Sequence, residues 1–211
     1  MILLIDKPKG LTSHDVVDLI RKKFNERRVG HAGTLDPNAT GLLIIGVSRE
    51  STKKLGEIAK NTKKIYEAEI FLGETRETDD VEGKLVKKFE NFREPTLVEV
   101  KKKLGEMIGK QMQIPPVYSA IKLSGKKAYE LARKGKTVDL KPRIVEIEKI
   151  EVTHYQFPII KMKCVVSSGT YIRAIARDLG EKLGSGAYLK NLRRTKIGEF
   201  DVKDAVKLDD L

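Results

Sequence analysis

The sequence predicts a fold that mixes strands and helices in one continuous domain, and three observations carry that prediction. Lys64–Leu72 alternates with period two: Tyr66, Ala68, Ile70 and Leu72 share one face, with Glu67 and Glu69 on the other. Residues 13–24 instead set Val16, Val17, Leu19, Ile20 and Phe24 three and four apart, the spacing of a helix with one apolar side. Across all 211 residues no repeat and no low-complexity linker divides the chain.

Residues 2–5 read as a first strand. Asp6-Lys7-Pro8-Lys9-Gly10 then turns the chain towards the helix, which Thr12 or Ser13 caps. Residues 42–47 form a short buried strand, and a helix is expected over 51–59. After the alternating strand, 74–83 is polar and acidic and reads as a loop. Pro95 or Thr96 opens a helix running to Met107. Pro115-Pro116 suggests an extended entry into a strand, and 125–133 a short basic helix that Gly135 ends. The strand expected over 143–152 shifts its apolar phase between Val145/Ile147 and Ile150/Val152, which points to a bulge or bend near Glu148 and Lys149. Residues 158–166 pair with it and turn Cys164 towards the core. A helix follows to Leu183, and Gly184-Ser185-Gly186 breaks the chain. Residues 188–194 read as a basic apolar helix or turn, and 195–200 and 202–206 close the chain.

Composition narrows the function classes. Hydrophobic residues at 40% and charged residues at 34% are globular proportions. A net charge of +12 points to a polyanionic partner, nucleic acid first; the plain alternative is the Lys- and Glu-rich surface of a heat-tolerant protein. No apolar run is long enough to span a membrane and no signal-peptide pattern opens the chain, so no membrane partner and a cytoplasmic location are expected. The single cysteine excludes an internal disulfide, and three scattered histidines give no metal-ligand cluster. There is no Walker loop and no dinucleotide fingerprint, so neither a metal nor a cofactor is expected.

The densest stretch is Gly30-His31-Ala32-Gly33-Thr34-Leu35-Asp36-Pro37-Asn38-Ala39-Thr40-Gly41. Pro37 restricts the backbone of Asp36 and so the direction of its carboxylate. Asp, Pro and Asn also make an ordinary turn, and locally that reading stands beside a catalytic one. Tyr66 is equally a core residue with a paired hydroxyl. Arg173 falls in the first turn of its helix, where a cation opposes the dipole; it gains from a nearby carboxylate or phosphate, unless it simply faces solvent.

Six segments together resemble the TruB-type tRNA pseudouridine synthases, in the family's order and over nearly the whole chain. They are Asp6-Lys7-Pro8-Lys9-Gly10-Leu11-Thr12-Ser13, His31 to Gly41 of the dense stretch, Lys64-Ile65-Tyr66, Pro115-Pro116-Val117-Tyr118-Ser119-Ala120-Ile121-Lys122, Gly169-Thr170-Tyr171-Ile172-Arg173 and Leu192-Arg193-Arg194-Thr195. The resemblance implies an α+β fold, the pseudouridine synthase fold, with a mixed, largely antiparallel central sheet flanked by helices and loops. It implies isomerisation of uridine 55 in the T-loop of tRNA to pseudouridine, with no cofactor and no metal.

The resemblance also implies roles. Asp36 matches the family's catalytic Asp, Arg173 the Arg that pairs with it, and Tyr66 the Tyr that stacks on the target uracil. Tyr171 and Leu192 match residues lining the same pocket, and His31 the His that packs against the rearranged T-loop. Lys7 and Lys53 match basic positions near the RNA; for Lys7, phosphate contact and orientation of Asp36 both stay open. The residue types suit the chemistry, since remaking a glycosidic bond in one pocket asks for a carboxylate and a flipped pyrimidine for an aromatic face. Many relatives carry a further C-terminal RNA-binding domain of PUA type that this sequence does not include. The expectation is therefore a single catalytic domain over 1–211, acting as a monomer on the T-arm of tRNA. The rival is a non-catalytic RNA-binding or tRNA-folding module in which Asp36 is a turn residue.

Overall fold

The computed structural model describes residues 1–60, 62–123, 125–135 and 137–211. In chain order the elements are β1 (Ile2–Lys7), α1 (Ser13–Phe24), β2 (Val29–Ala32), β3 (Thr40–Val47), α2 (Arg49–Lys60), β4 (Lys64–Leu72), β5 (Glu74–Arg76), β6 (Leu85–Lys88), α3 (Leu97–Gly105), β7 (Gly109–Gln113), β8 (Lys122–Leu123), β9 (Lys126–Lys127), α4 (Ala128–Ala132), β10 (Arg143–Gln156), β11 (Ile159–Val166), α5 (Ile172–Leu183), β12 (Ala187–Ile197), β13 (Phe200–Asp201) and β14 (Val206–Lys207). Two compact units emerge: Met1–Ala68 with Lys163–Ser168 and Asn191–Leu211, and Glu69–Met162 with Gly169–Lys190. Among the described residues no helix is long and apolar enough to cross a membrane.

In the first unit the strands run in the order β14-β1-β3-β12-β4-β11, with β2 on β3 and β13 on β12. β3 is the hub, and Leu42, Leu43, Ile44 and Ile45 are all fully buried, the signature of a strand covered on both faces. β1 runs antiparallel to it from Ile2↔Gly46 to Lys7↔Gly41, and β12 runs parallel to it through Arg193↔Thr40 and Arg194↔Gly41. α1 starts on a reciprocal cap: the Thr12 hydroxyl accepts from the Asp15 N–H at 3.0 Å and the Asp15 carboxylate accepts from the Thr12 N–H at 2.8 Å. Its Val16, Val17 and Ile20 are buried while Leu19 is not, so the inward stripe is narrower than the spacing suggests. Ala32, Leu42, Ile44, Leu55 and Ile197 form the core under α2.

In the second unit the strand order is β12-β4-β11-β10-β7. β7 is antiparallel to β10 from Arg143↔Gln113 to Ile147↔Gly109. Glu69 on β4 reaches Lys190 of β12 at 3.1 Å and Lys161 of β11 at 3.9 Å, as its central place between those strands requires. α3 opens on Thr96 and Glu99 in the same reciprocal cap that starts α1. Tyr188 stacks on Phe71 at 5.2 Å, and the Arg76 guanidinium covers it at 4.5 Å.

β4, α1 and α5 match the sequence expectation closely, and the buried phase of β10 does pass from Val145 and Ile147 to the half-buried Ile150 and Val152. Three readings are corrected. Residues 188–194 are strand, not helix or turn, because β12 fills the place between β3 and β4, and pairing on both edges overrides the helix preference of Leu, Lys and Arg. The 74–83 stretch is not all loop, since β5 pairs with β6. The dense stretch, which its glycines and Asp-Pro-Asn make a loop over residues 30–41 by sequence, in fact opens in strand, with β2 over Val29–Ala32 and His31 opposite Ile45.

Candidate active site

The dense stretch becomes a short loop between two strands, held from several directions within the first unit. The Asp36 carbonyl accepts from the Ala39 N–H at 3.0 Å, so Asp36-Pro37-Asn38-Ala39 is a β-turn with proline at its second position. The turn reading of this stretch therefore holds, and it leaves the Asp36 side chain outside the bond that closes the turn. Ser13, the first residue of α1, accepts from the Leu35 N–H at 2.8 Å and donates to the Leu35 carbonyl at 3.0 Å. The Gly10 N–H donates to the Pro37 carbonyl at 2.9 Å. Leu35 and Ala39 are buried, while Asp36 between them is half-buried. The backbone of the turn is thus fixed from both sides.

Lys7 is fully enclosed. Its ammonium donates to the carbonyls of Leu11 at 2.6 Å, Pro8 at 2.9 Å and Pro37 at 3.2 Å. An ammonium tied to three carbonyls ties β1 to the turn.

Arg194 on β12 is also buried, at 1% exposure, and holds the loop's beginning. It donates to the Gly33 carbonyl at 2.8 Å and to the Leu42 carbonyl at 2.8 Å. Gly33 and Gly41 both have positive φ, +76° and +99°, so both bends need a residue without a Cβ. Leu192, half-buried on the same strand, has its carbonyl 3.5 Å from the Thr40 hydroxyl at the loop's end.

Tyr66 and Lys64 lie on the same buried face of β4. The Tyr66 ring is 7% exposed, and its hydroxyl makes no hydrogen bond with the described residues. Among the described residues the Lys64 ammonium reaches only the Ser168 hydroxyl, at 3.3 Å, and Ser168 donates in turn to the Ala59 carbonyl at 2.6 Å. Burial and then the neighbouring Arg194 push the Lys64 pKa down to about 8. His31 is half-buried, its Nδ1 has no hydrogen-bond partner among the described residues, and burial first and Arg194 second lower its pKa too. Lys53 is exposed on α2, which packs along β2.

Lys64 gives the first unit a pH signature. Its folded pKa lies below the unfolded value of 10.5, so between about pH 8 and that value the unfolded chain binds more protons and stability rises with pH. The stability of the wild type minus that of Lys64→Met is expected to increase from pH 8 to pH 10 in urea unfolding. A difference that is flat or falls over that range would remove the buried, poorly compensated cation.

In the second unit Tyr171 is the N-cap of α5, and its side chain makes no cap bond. Gln113 caps its backbone instead, accepting from the Tyr171 N–H at 2.9 Å and donating to its carbonyl at 3.2 Å. Arg173 is 5% exposed, so it does not face solvent. Its guanidinium donates to the carbonyls of Thr78 and Tyr118, each at 2.9 Å, and lies 3.5 Å from the Asp80 carboxylate. Beside it Arg177 pairs with Asp79 at 3.1 Å, and burial still leaves the Asp79 pKa raised. Sequence reasoning missed Asp80, Gln113, Lys64 and Arg194. The available signals were the paired acids in a polar loop and a lysine in phase with the apolar side of β4.

The chain matches two family descriptions: "TruB family pseudouridylate synthase (N terminal domain)" over residues 21–172 and "tRNA pseudouridylate synthase B C-terminal domain" over residues 173–211. It is 46% identical over 201 residues to the tRNA pseudouridine synthase B of Thermosipho melanesiensis, a match covering 95% of this chain and 64% of that one. It is 44% identical over 220 residues to the same protein of Thermobifida fusca, covering 100% of this chain and 73% of that one. Among solved structures it is similar to a Cbf5-Nop10-Gar1 complex, with a TM-score of 0.75 and 27% identity over all of this chain and 53% of that one. It is also similar to an H/ACA RNP bound to a substrate RNA, with a TM-score of 0.73 and 26% identity over all of this chain and 51% of that one. The chain thus spans about two thirds to three quarters of these two curated relatives' length and about half of the structural ones'.

Proposed function

The chain belongs to the TruB family of pseudouridylate synthases and shares their α+β fold, and from that premise we propose that it isomerises uridine 55 in the T-loop of tRNA to pseudouridine. The C1′–N1 bond breaks, the uracil turns, and C1′ joins C5. The proton lost from C5 is matched by one gained at N1, so atoms balance within the nucleotide and solvent.

The observation that carries this reading is the presentation of Asp36: a half-buried carboxylate on a turn fixed by Lys7, Gly10, Ser13 and Arg194. Rigid backbone around a half-buried carboxylate suits a nucleophile that must meet the sugar or the base in a set geometry. Tyr66, with an aromatic face and an unengaged hydroxyl, suits stacking on a flipped uracil. On the family resemblance Arg173 keeps Asp36 ionised, Tyr171 and Leu192 line the base pocket, His31 packs on the T-loop and Lys53 meets phosphate. The +12 charge supports an RNA partner, with residues 1–211 acting as one catalytic domain and as a monomer in the cytoplasm.

Tritium release from C5-labelled uridine, on an isolated T-arm hairpin beside full tRNA, tests the reading. Release from both at similar rates is expected. Binding of both without release would favour the RNA-folding module, and free uracil as product would make the protein a hydrolase.

A further inference from the structure

In the first unit two buried cations converge on the start of the Asp36 loop with no acid to balance them. Lys64 is 8% exposed and Arg194 1% exposed. Among the described residues no carboxylate lies within ion-pair distance of either, and Arg194 is satisfied by two backbone carbonyls. Lys64 uses one of its three N–H donors, on Ser168. Both point at Gly33: a Cβ there would lie 3.3 Å from the Arg194 guanidinium and 3.6 Å from the Lys64 ammonium. Next to them His31 carries a buried ring nitrogen without a partner. Uncompensated burial of charge is costly, and a fold keeps it where an anion arrives to meet it.

We propose that Lys64, backed by the field of Arg194, receives one of the two phosphodiesters that flank the target uridine. The inference rests on the RNA-modifying reading above and names a contact that reading leaves open. Strand geometry supports it. Lys64 and Tyr66 are two residues apart on one face of β4, about 6.6 Å along the strand, so a nucleotide stacked on Tyr66 carries its backbone to the level of Lys64. The Lys64 ammonium, pushed down to about 8, then regains its full charge when the phosphate binds.

The test is the salt dependence of T-arm hairpin binding by the intact chain. Each phosphate neutralised contributes about 0.7 to 0.9 to the slope of log K against log salt. Lys64→Met is expected to flatten the slope by about that amount and to weaken binding several-fold at low salt, and Lys64→Arg to restore the slope. A neutral methylphosphonate at the correct flanking position should flatten the wild-type slope equally, and should add nothing to Lys64→Met. That arm needs no protein variant, so it decides the matter even where Lys64→Met folds poorly. An unchanged wild-type slope with both methylphosphonates overturns the proposal, even where Lys64→Met loses activity, since Lys64 then acts only as a packing residue. A wild type that binds no T-arm RNA would overturn the functional reading itself, a separate outcome.

Discussion

Asp36→Ala is expected to release no tritium above background from C5-labelled T-arm RNA, a loss of about 10⁴-fold or more in turnover, while its affinity for that RNA stays within a few-fold of wild type. The split follows from where the residue sits. Its neighbours in the turn do the structural work: the Pro37 carbonyl takes Lys7 and Gly10, and Leu35 takes both bonds to Ser13. The backbone bond that closes the turn, Asp36 carbonyl to Ala39 N–H, survives any side chain. Removing the carboxylate thus deletes chemistry with little loss of shape. Asp36→Asn is the stricter form, nearly isosteric and unable to act as a nucleophile. Substantial turnover by either variant would return Asp36 to the role of a turn residue. Loss of RNA binding together with turnover would move the effect from chemistry to folding.

Gly41→Ala is expected to destabilise the protein by about 3 kcal/mol, with a fall in melting temperature of about 6–12 °C. Two costs add. The φ of +99° is strained for any residue with a Cβ. The new methyl would also lie 2.2 Å from the Arg194 carbonyl and 2.9 Å from its N–H, atoms of the paired strand backbone that have no rotamer to escape into. The strands β3 and β12 must part there. Gly56→Ala is the control: it lies in α2 with nothing within 4 Å of its Cβ position, and should be neutral or stabilising by up to about 1 kcal/mol. Thermal unfolding by circular dichroism compares the two. Equal melting temperatures would mean that the β3–β12 approach is looser than the distances state.

Local signals explain which parts of this fold were legible. β4 is given by its alternation, α1 by Thr12 and an apolar stripe, and the end of α5 by Gly184 in the left-handed region. All three depend on residues close in sequence. β12 was misread because its stabilising partners, β3 and β4, are remote, and its own residues are long cations and leucine. Arg193 illustrates the difficulty: it reads as a solvated charge, yet forms a two-pronged pair with Asp6 of β1 at 2.7 and 3.0 Å. The site divides in the same way. Pro37 announces a fixed Asp36, but nothing near Lys7 says that three carbonyls will enclose it. Arg173 did leave a hint, a cation placed against the helix dipole, and it is in fact buried with Asp80 and two carbonyls. Lys64 left one too, since period two puts it on the face of Tyr66, where a lysine needs a reason to be.

The parallel pairing of Arg194 with Gly41 also has a consequence for biosynthesis. Ribosomes deliver the chain from its N-terminus, so the loop bearing Asp36 emerges about 150 residues before the strand that separates β3 from β4. Until then the hub strand has an unfilled edge and Gly33 lacks the guanidinium that fixes its carbonyl. The closure of β12 onto β3 is therefore a long-range step, of the kind that slows folding.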